Sequence, residues 1–174
     1  MTIGPGSTCN NGFCTDPLRC ATGHDCRKAS GGGACVNGFC VSTFPKDPQC
    51  SELREPTDLF EQRLAGPDAP LVIGSIYSLG ELKDQVLSES VRLAVDEINN
   101  KGGKMNRGKN LGVVVCDNGG PKNSAQGGER TTLTNKAVDY LAGTLGVPYI
   151  VGPLSSADSL LVIARLKEKN YPTA

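Results

Sequence analysis

The sequence predicts an α/β fold: an open, parallel, doubly wound sheet over residues 71–174, preceded by a small disulfide-rich region. Three observations carry that expectation. From Leu71 onward, short apolar runs alternate with longer segments of helical periodicity, and such alternation implies parallel strands joined by right-handed crossovers. Seven of the eight cysteines (Cys9, Cys14, Cys20, Cys26, Cys35, Cys40 and Cys50) lie in the first 50 residues. Apolar residues are sparse there, so cross-links must replace a core. Between these regions runs a stretch broken by prolines, with no sustained pattern. The expected division is cysteine-rich repeat modules over 1–42, a linker over 43–70 and the α/β part over 71–174.

Within 1–42, Cys9-Asn10-Asn11-Gly12-Phe13-Cys14 recurs as Cys35-Val36-Asn37-Gly38-Phe39-Cys40. Asn-Gly in each copy marks a tight hairpin turn. Cys20 and Cys26 precede the second copy, but the first copy has no counterparts before it, so the first module is expected to be cut and the sequence incomplete at its start. Four cysteines allow three connectivities; the preferred scheme is Cys20–Cys35 with Cys26–Cys40. Cys50 and Cys116 remain as a pair that would staple the linker to the second strand, the rival being a buried free Cys116. Zinc is the other reading of these cysteines. With no C-x2-C knuckle and His24 as the only histidine, no metal is expected.

In the linker, 59–64 has the look of a short helix. Leu71-Val72-Ile73-Gly74-Ser75-Ile76-Tyr77 is a largely apolar run, as expected for a strand covered on both faces. A long helix over 81–100 follows, with Leu87, Val91, Ala94, Val95 and Ile98 on one face and Gly102-Gly103 as its stop. Leu111 to Cys116 is the second strand. A helix over 124–145 turns Leu133, Ala137, Tyr140 and Leu141 inward. Val147 to Gly152 is the third strand, 156–169 the third helix, and Tyr171 to Ala174 the start of a fourth strand. In such a sheet the loops at the carboxyl ends of the strands form the ligand edge. Those loops are 77–80, 117–121 and 152–156. In the last, Ser155-Ser156 opens a helix whose free N–H groups attract a carboxylate; the plainer reading is an ordinary serine cap.

Composition and motifs narrow the function. Lys+Arg and Asp+Glu balance at 18 each, which gives no footprint for nucleic acid or an anionic membrane. No run reaches the ~20 apolar residues of a membrane span. A Ser-His-Asp triad cannot form within the α/β part, because the only histidine lies outside it. G-x-S-x-G, G-x-G-x-x-G and G-x-x-x-x-G-K-[ST] are all missing. Binding is therefore expected and catalysis is not, with no cofactor. The cysteines place the protein in the periplasm or outside the cell, with an export signal or lipid anchor expected upstream.

Leu93-Ala94-Val95-Asp96-Glu97-Ile98-Asn99-Asn100-Lys101-Gly102-Gly103 is similar to the first-helix signature of type I periplasmic binding proteins. That family includes the leucine/isoleucine/valine-binding proteins of ABC importers and the ligand-binding regions of some receptors. Segments 111–117, 147–156 and 169–174 agree in order and spacing, so the resemblance covers 71–174. It implies part of the N-terminal lobe of a two-lobed protein that closes on an amino acid or similar small carboxylate and delivers it to an ABC permease. A sensory-receptor ectodomain of the same fold is the alternative. In the family the Leu-x-Ser segment after the third strand holds the ligand carboxylate. Here that maps onto Leu154, Ser155 and Ser156. The loop after the first strand faces the cleft and maps onto Tyr77 and Ser78, although it departs from the family's small-Gly-Pro pattern. The remaining cleft residues are expected beyond Ala174. On this reading the cysteine modules serve as a stalk or spacer from an upstream anchor.

Overall fold

The computed structural model describes residues 8–10, 13–15, 18–101, 108–119 and 127–172. In chain order the elements are β1 (Thr8–Asn10), β2 (Phe13–Thr15), α1 (Gly23–Ser30), β3 (Ala34–Val36), β4 (Phe39–Val41), β5 (Leu53–Glu55), β6 (Leu71–Tyr77), α2 (Leu82–Asn100), β7 (Leu111–Asp117), α3 (Gly127–Val138), β8 (Ile150–Val151) and α4 (Ser156–Glu168). What Cys9 and Cys14 bond to, the Gly102-Gly103 stop, the start of the helix expected at 124 and the end of the fourth strand at 173–174 lie outside what is described.

The main sheet has the order β5-β7-β6-β8. β6 runs parallel to β7 along its whole length, from Leu71 opposite Leu111 to Tyr77 opposite Asp117, and parallel to β8 at Gly74 and Ser75. Alternate side chains of a strand point to opposite faces, and both faces of this sheet are covered. Val113 and Val115 lie with Val95 of α2, flanked by Leu87, Val91 and Ile98. Val114 and Cys116 face the other way, onto Ala137 and Val138 of α3, Leu141, and Val162 of α4. Helices on both faces of a parallel core make the sheet doubly wound, and that is why β6 and β7 read as largely apolar runs.

Residues 43–70, read from the sequence as a linker, also contribute to the fold. Leu53–Glu55 pairs antiparallel with β7 as an edge strand, and Phe44, Leu59, Phe60 and Leu64 join the core. The Phe44 and Phe60 rings meet edge to face at 5.2 Å. Leu59, Phe60 and Leu64 belong to the short helical stretch expected at 59–64, of which Leu59–Glu61 forms a single 3-10 turn; so short a segment does not by itself show what it packs against.

The second cysteine module packs against the α/β part. Its hairpin turns at Asn37 (φ 51°) and Gly38 (φ 80°), the two left-handed positions that Asn-Gly suits. Disulfides Cys20–Cys35 (S–S 2.04 Å) and Cys26–Cys40 (2.06 Å) tie it to α1 and the segment before it. Ala34 enters the main core, and the Arg27 guanidinium donates to the Gly146 carbonyl. A Cβ on Gly23 would meet the Thr144 carbonyl oxygen at 2.4 Å, so the module lies backbone against backbone on the α/β part. Cys50–Cys116 (2.01 Å) is the third described disulfide.

The third strand is shorter than expected. α3 continues as a π-helical turn, Asp139–Thr144, and Val147 N donates back to Leu141 O at 2.9 Å. The first half of the apolar run therefore closes that turn, and only Ile150 and Val151 reach the sheet. Tyr171 and Pro172 are not in a strand. No helix among the described residues is long and apolar enough to cross a membrane.

Candidate functional site

The carboxyl ends of β6 and β7 and the turn after β8 lie along one edge of the sheet, and a buried polar network joins them. Ser78, 1% exposed, is its centre. Its Oγ donates to Asn118 Oδ1 at 2.8 Å, and its N–H donates to Asp84 Oδ2 at 2.8 Å. Leu79 N donates to Asp117 Oδ1 at 3.1 Å, Asn118 N to Tyr77 O at 3.1 Å, and Asn118 Nδ2 to Thr134 Oγ1 at 3.4 Å.

The third loop joins through a charge pair. Arg130 of α3 donates from Nη2 to Ser78 Oγ at 2.7 Å, and from Nε to Asp158 Oδ1 at 2.9 Å. Nη2 also donates to Asp158 Oδ2. The result is a two-pronged guanidinium–carboxylate contact, the stronger geometry for such a pair. Ser155 caps α4, its Oγ accepting from Asp158 N at 3.1 Å and donating to Asp158 Oδ2 at 2.8 Å. Burial alone pushes the Asp158 carboxyl up, but hydrogen bonds from Arg130, Ser155 and Asn118 outweigh it and hold the group below its ordinary value. The same bond to Asp158 raises Arg130. Both therefore stay charged across the physiological range.

Gly152 turns the chain between β8 and this loop at φ +85°. A Cβ there would meet Ile76 O at 2.7 Å, so the position demands glycine on two counts.

The five expected ligand residues fall into two groups. Leu154 and Ser156 are exposed at the start of α4, while Ser155 is half-buried and engaged as the cap. Tyr77 is buried in the apolar cluster under α2, and Ser78 is committed to holding the loops together. Of the five, Leu154 and Ser156 are therefore the exposed ones on this edge, with Ser155 half-buried and Ser78 buried. Sequence reading missed Arg130, Asn118, Thr134 and Asp84. Asp158 left one trace, since an acidic residue three positions after a capping serine is a capping pattern. Nothing in the sequence ties Arg130 to Ser78, which it meets only through the fold.

The sulfurs of Cys20, Cys26 and Cys40 lie close together. All three belong to disulfides, and it is the thiolate that binds a metal. A cavity of about 360 Å³ lies between β8 and α4, lined mostly by apolar groups such as Val147, Ile150, Val162 and Leu166. Its lining also takes in Gly152 and Pro153 of the turn after β8 and Ser159 of α4. His24 is exposed on α1, beside Gly146.

No family model matches this chain, and no curated protein does. Among solved structures, the chain is similar to the branched-chain amino acid transporter substrate binding protein LivJ from Streptococcus pneumoniae, solved in complex with isoleucine. Identity is 25% and the TM-score 0.44, and the match covers 60% of this chain and 28% of that one.

Proposed function

We propose that residues 71–172 form part of a lobe that binds the carboxylate of an amino acid or similar small acid, in an exported substrate-binding protein of an ABC importer. One observation carries the reading. Loops after β6 and β7 and the turn after β8 converge beside the exposed first turn of α4, and the Ser78–Asn118–Arg130–Asp158 network holds them there. Parallel α/β sheets bind ligands at that edge. The first amides of a helix have no partners within it and carry the positive end of its dipole. Ser155 Oγ has taken the Asp158 amide, which leaves the amides of Ser156 and Ala157 and the Ser156 hydroxyl as donors. The sequence similarity of 93–103, 111–117 and 147–156 to type I binding proteins supports the same reading. Delivery to a permease, a second lobe that closes the cleft, and a periplasmic or extracellular home follow from it, the last also favoured by the disulfides.

The test is a titration of the isotope-labelled chain with L-leucine, L-isoleucine and L-glutamate, followed by amide NMR. Shifts concentrated at 152–157, weakened by about 1–3 kcal/mol in Ser156→Ala through loss of a carboxylate contact, are expected. No shift at those amides at millimolar ligand, or a Ser156→Ala variant that binds as the parent does, would remove the site.

A further inference from the structure

The proposed ligand edge is anchored from a part of the chain that stands before the α/β elements. Asp47 opens a tight turn: its carbonyl accepts from Cys50 N at 3.0 Å and its Oδ1 from Gln49 N at 2.9 Å. The turn presents Gln49 to the end of β7. Gln49 O accepts from Asp117 N at 3.0 Å. The Gln49 side-chain amide donates to Asp117 O at 2.6 Å and to Leu133 O at 2.7 Å. A primary amide has two N–H donors, and both are used. One side chain thus spans from the last residue of β7 to the middle of α3. Their chain neighbours, Cys50 after Gln49 and Cys116 before Asp117, are joined by a disulfide.

What hangs from those two points is the ligand edge itself. Asp117 Oδ1 receives Leu79 N and Gly119 N at 3.1 and 3.0 Å. Asn118 receives the Ser78 hydroxyl and reaches Thr134, the residue after Leu133. Arg130, one helical turn earlier on α3, holds Ser78 and Asp158. Gln49 therefore grips both arms of the network, the β7 loop and α3, from behind. The longer Asn118–Thr134 contact and Ser78, held between Asn118 and Arg130, join the same two arms further along the edge.

We infer that Gln49, on the turn locked by Cys50–Cys116, is a positioning residue for the cleft edge: it sets the spacing between the 117–119 loop and α3, and through it where Ser78 and Arg130 stand. This rests on the proposed binding edge for its functional meaning, but its structural content is separate. Gln49 is partly exposed and lies behind the edge, so it acts through other residues and does not touch ligand.

The experiment is hydrogen exchange on the full chain, comparing the parent with Gln49→Met and Gln49→Glu. Methionine keeps the shape and removes both donors; glutamate sets a carboxylate against two carbonyl oxygens. Exchange should rise about tenfold or more at the amides of Leu79, Asp117, Asn118 and Gly119, more in Gln49→Glu than in Gln49→Met. The amides of Val147 and Lys169, bonded to Leu141 O and Arg165 O, should stay within about twofold in variants that remain folded. Equal acceleration at both sets, or none at the first set, overturns the inference, because Gln49 would then be a general stabiliser or an idle contact. If a variant fails to fold, the milder Gln49→Asn, one methylene short, supplies the same comparison. A ligand arm separates the two levels. With L-leucine as probe, weaker binding in Gln49→Met without a matching loss of melting temperature is expected. A parent chain that binds no amino acid defeats the proposed function, while the exchange pattern still decides the role of Gln49.

Discussion

The cysteine module over 18–42 and the α/β part over 71–172 reach order by opposite means. In the module, α1 is eight residues long and its strands three; elements so short are marginal alone. Two disulfides, closing separations of 15 and 14 residues, hold them. In the α/β part, β6 and β7 lie between helices, and Ile76, Val113, Val114 and Leu141 are fully buried. Hydrophobic burial does there what cross-links do in the module. Yet the two are not separate bodies. Ala34 shares a core with Leu141 and Val114, and Gly23 abuts Thr144. A cross-linked module can add its few apolar groups to a neighbour's core instead of building its own.

The largest expected effect tests that contrast. Replacing Cys20, Cys26, Cys35 and Cys40 with alanine should cost about 3 kcal/mol per bridge by loop entropy. Urea unfolding gives the total, and hydrogen exchange should show protection lost first over 18–42 and retained in β6 and β7. If β7 loses protection in step with the module, the division by mechanism is wrong.

Next is the seam between them. Gly23→Ala sets a Cβ against backbone that has nowhere to go, and overpacking of this kind costs about 1–3 kcal/mol. A melting temperature unchanged from the parent would mean that the module does not dock closely.

Within the α/β part, Asp158→Asn should weaken the pair with Arg130, in which the Arg130 side chain is 26% and the Asp158 side chain 5% exposed. A loss of about 1–3 kcal/mol is expected. The pair also sets an acid response. Folding lowers the Asp158 pKa, so as pH falls the unfolded chain takes up the proton first. The pair's contribution is complete above about pH 4 and is lost as pH drops through the folded value. Acid titration of stability should therefore be shallower below pH 4 in Asp158→Asn than in the parent; superimposable curves would show that Asp158 carries no linkage.

The smallest effect is Ser156→Ala, which on an exposed helix start should change stability by less than about 0.5 kcal/mol. A larger loss would make Ser156 a structural residue and weaken its case as a ligand donor.

The sequence by itself determined the elements whose signal is periodic and local. Leu71–Tyr77 and Leu111–Asp117 are strands because runs so largely apolar have to be covered from both sides. α2 is a helix because Leu87, Val91, Val95 and Ile98 share a face. Ser155 caps α4 because its hydroxyl reaches an amide three residues on. The sequence left three connectivities open for Cys20, Cys26, Cys35 and Cys40, and geometry joined Cys20 to Cys35, Cys26 to Cys40 and Cys50 to Cys116. Only the tertiary structure decided that 43–70 supplies a sheet edge and that the module leans on Gly146. It alone set Arg130 between Ser78 and Asp158 and Gln49 behind Asp117. Those contacts join residues far apart in the chain, and no local pattern encodes a partner that only folding brings near. The same holds for the expected carboxylate cradle: its capping serine was written in the sequence, but the buried network beneath it was not.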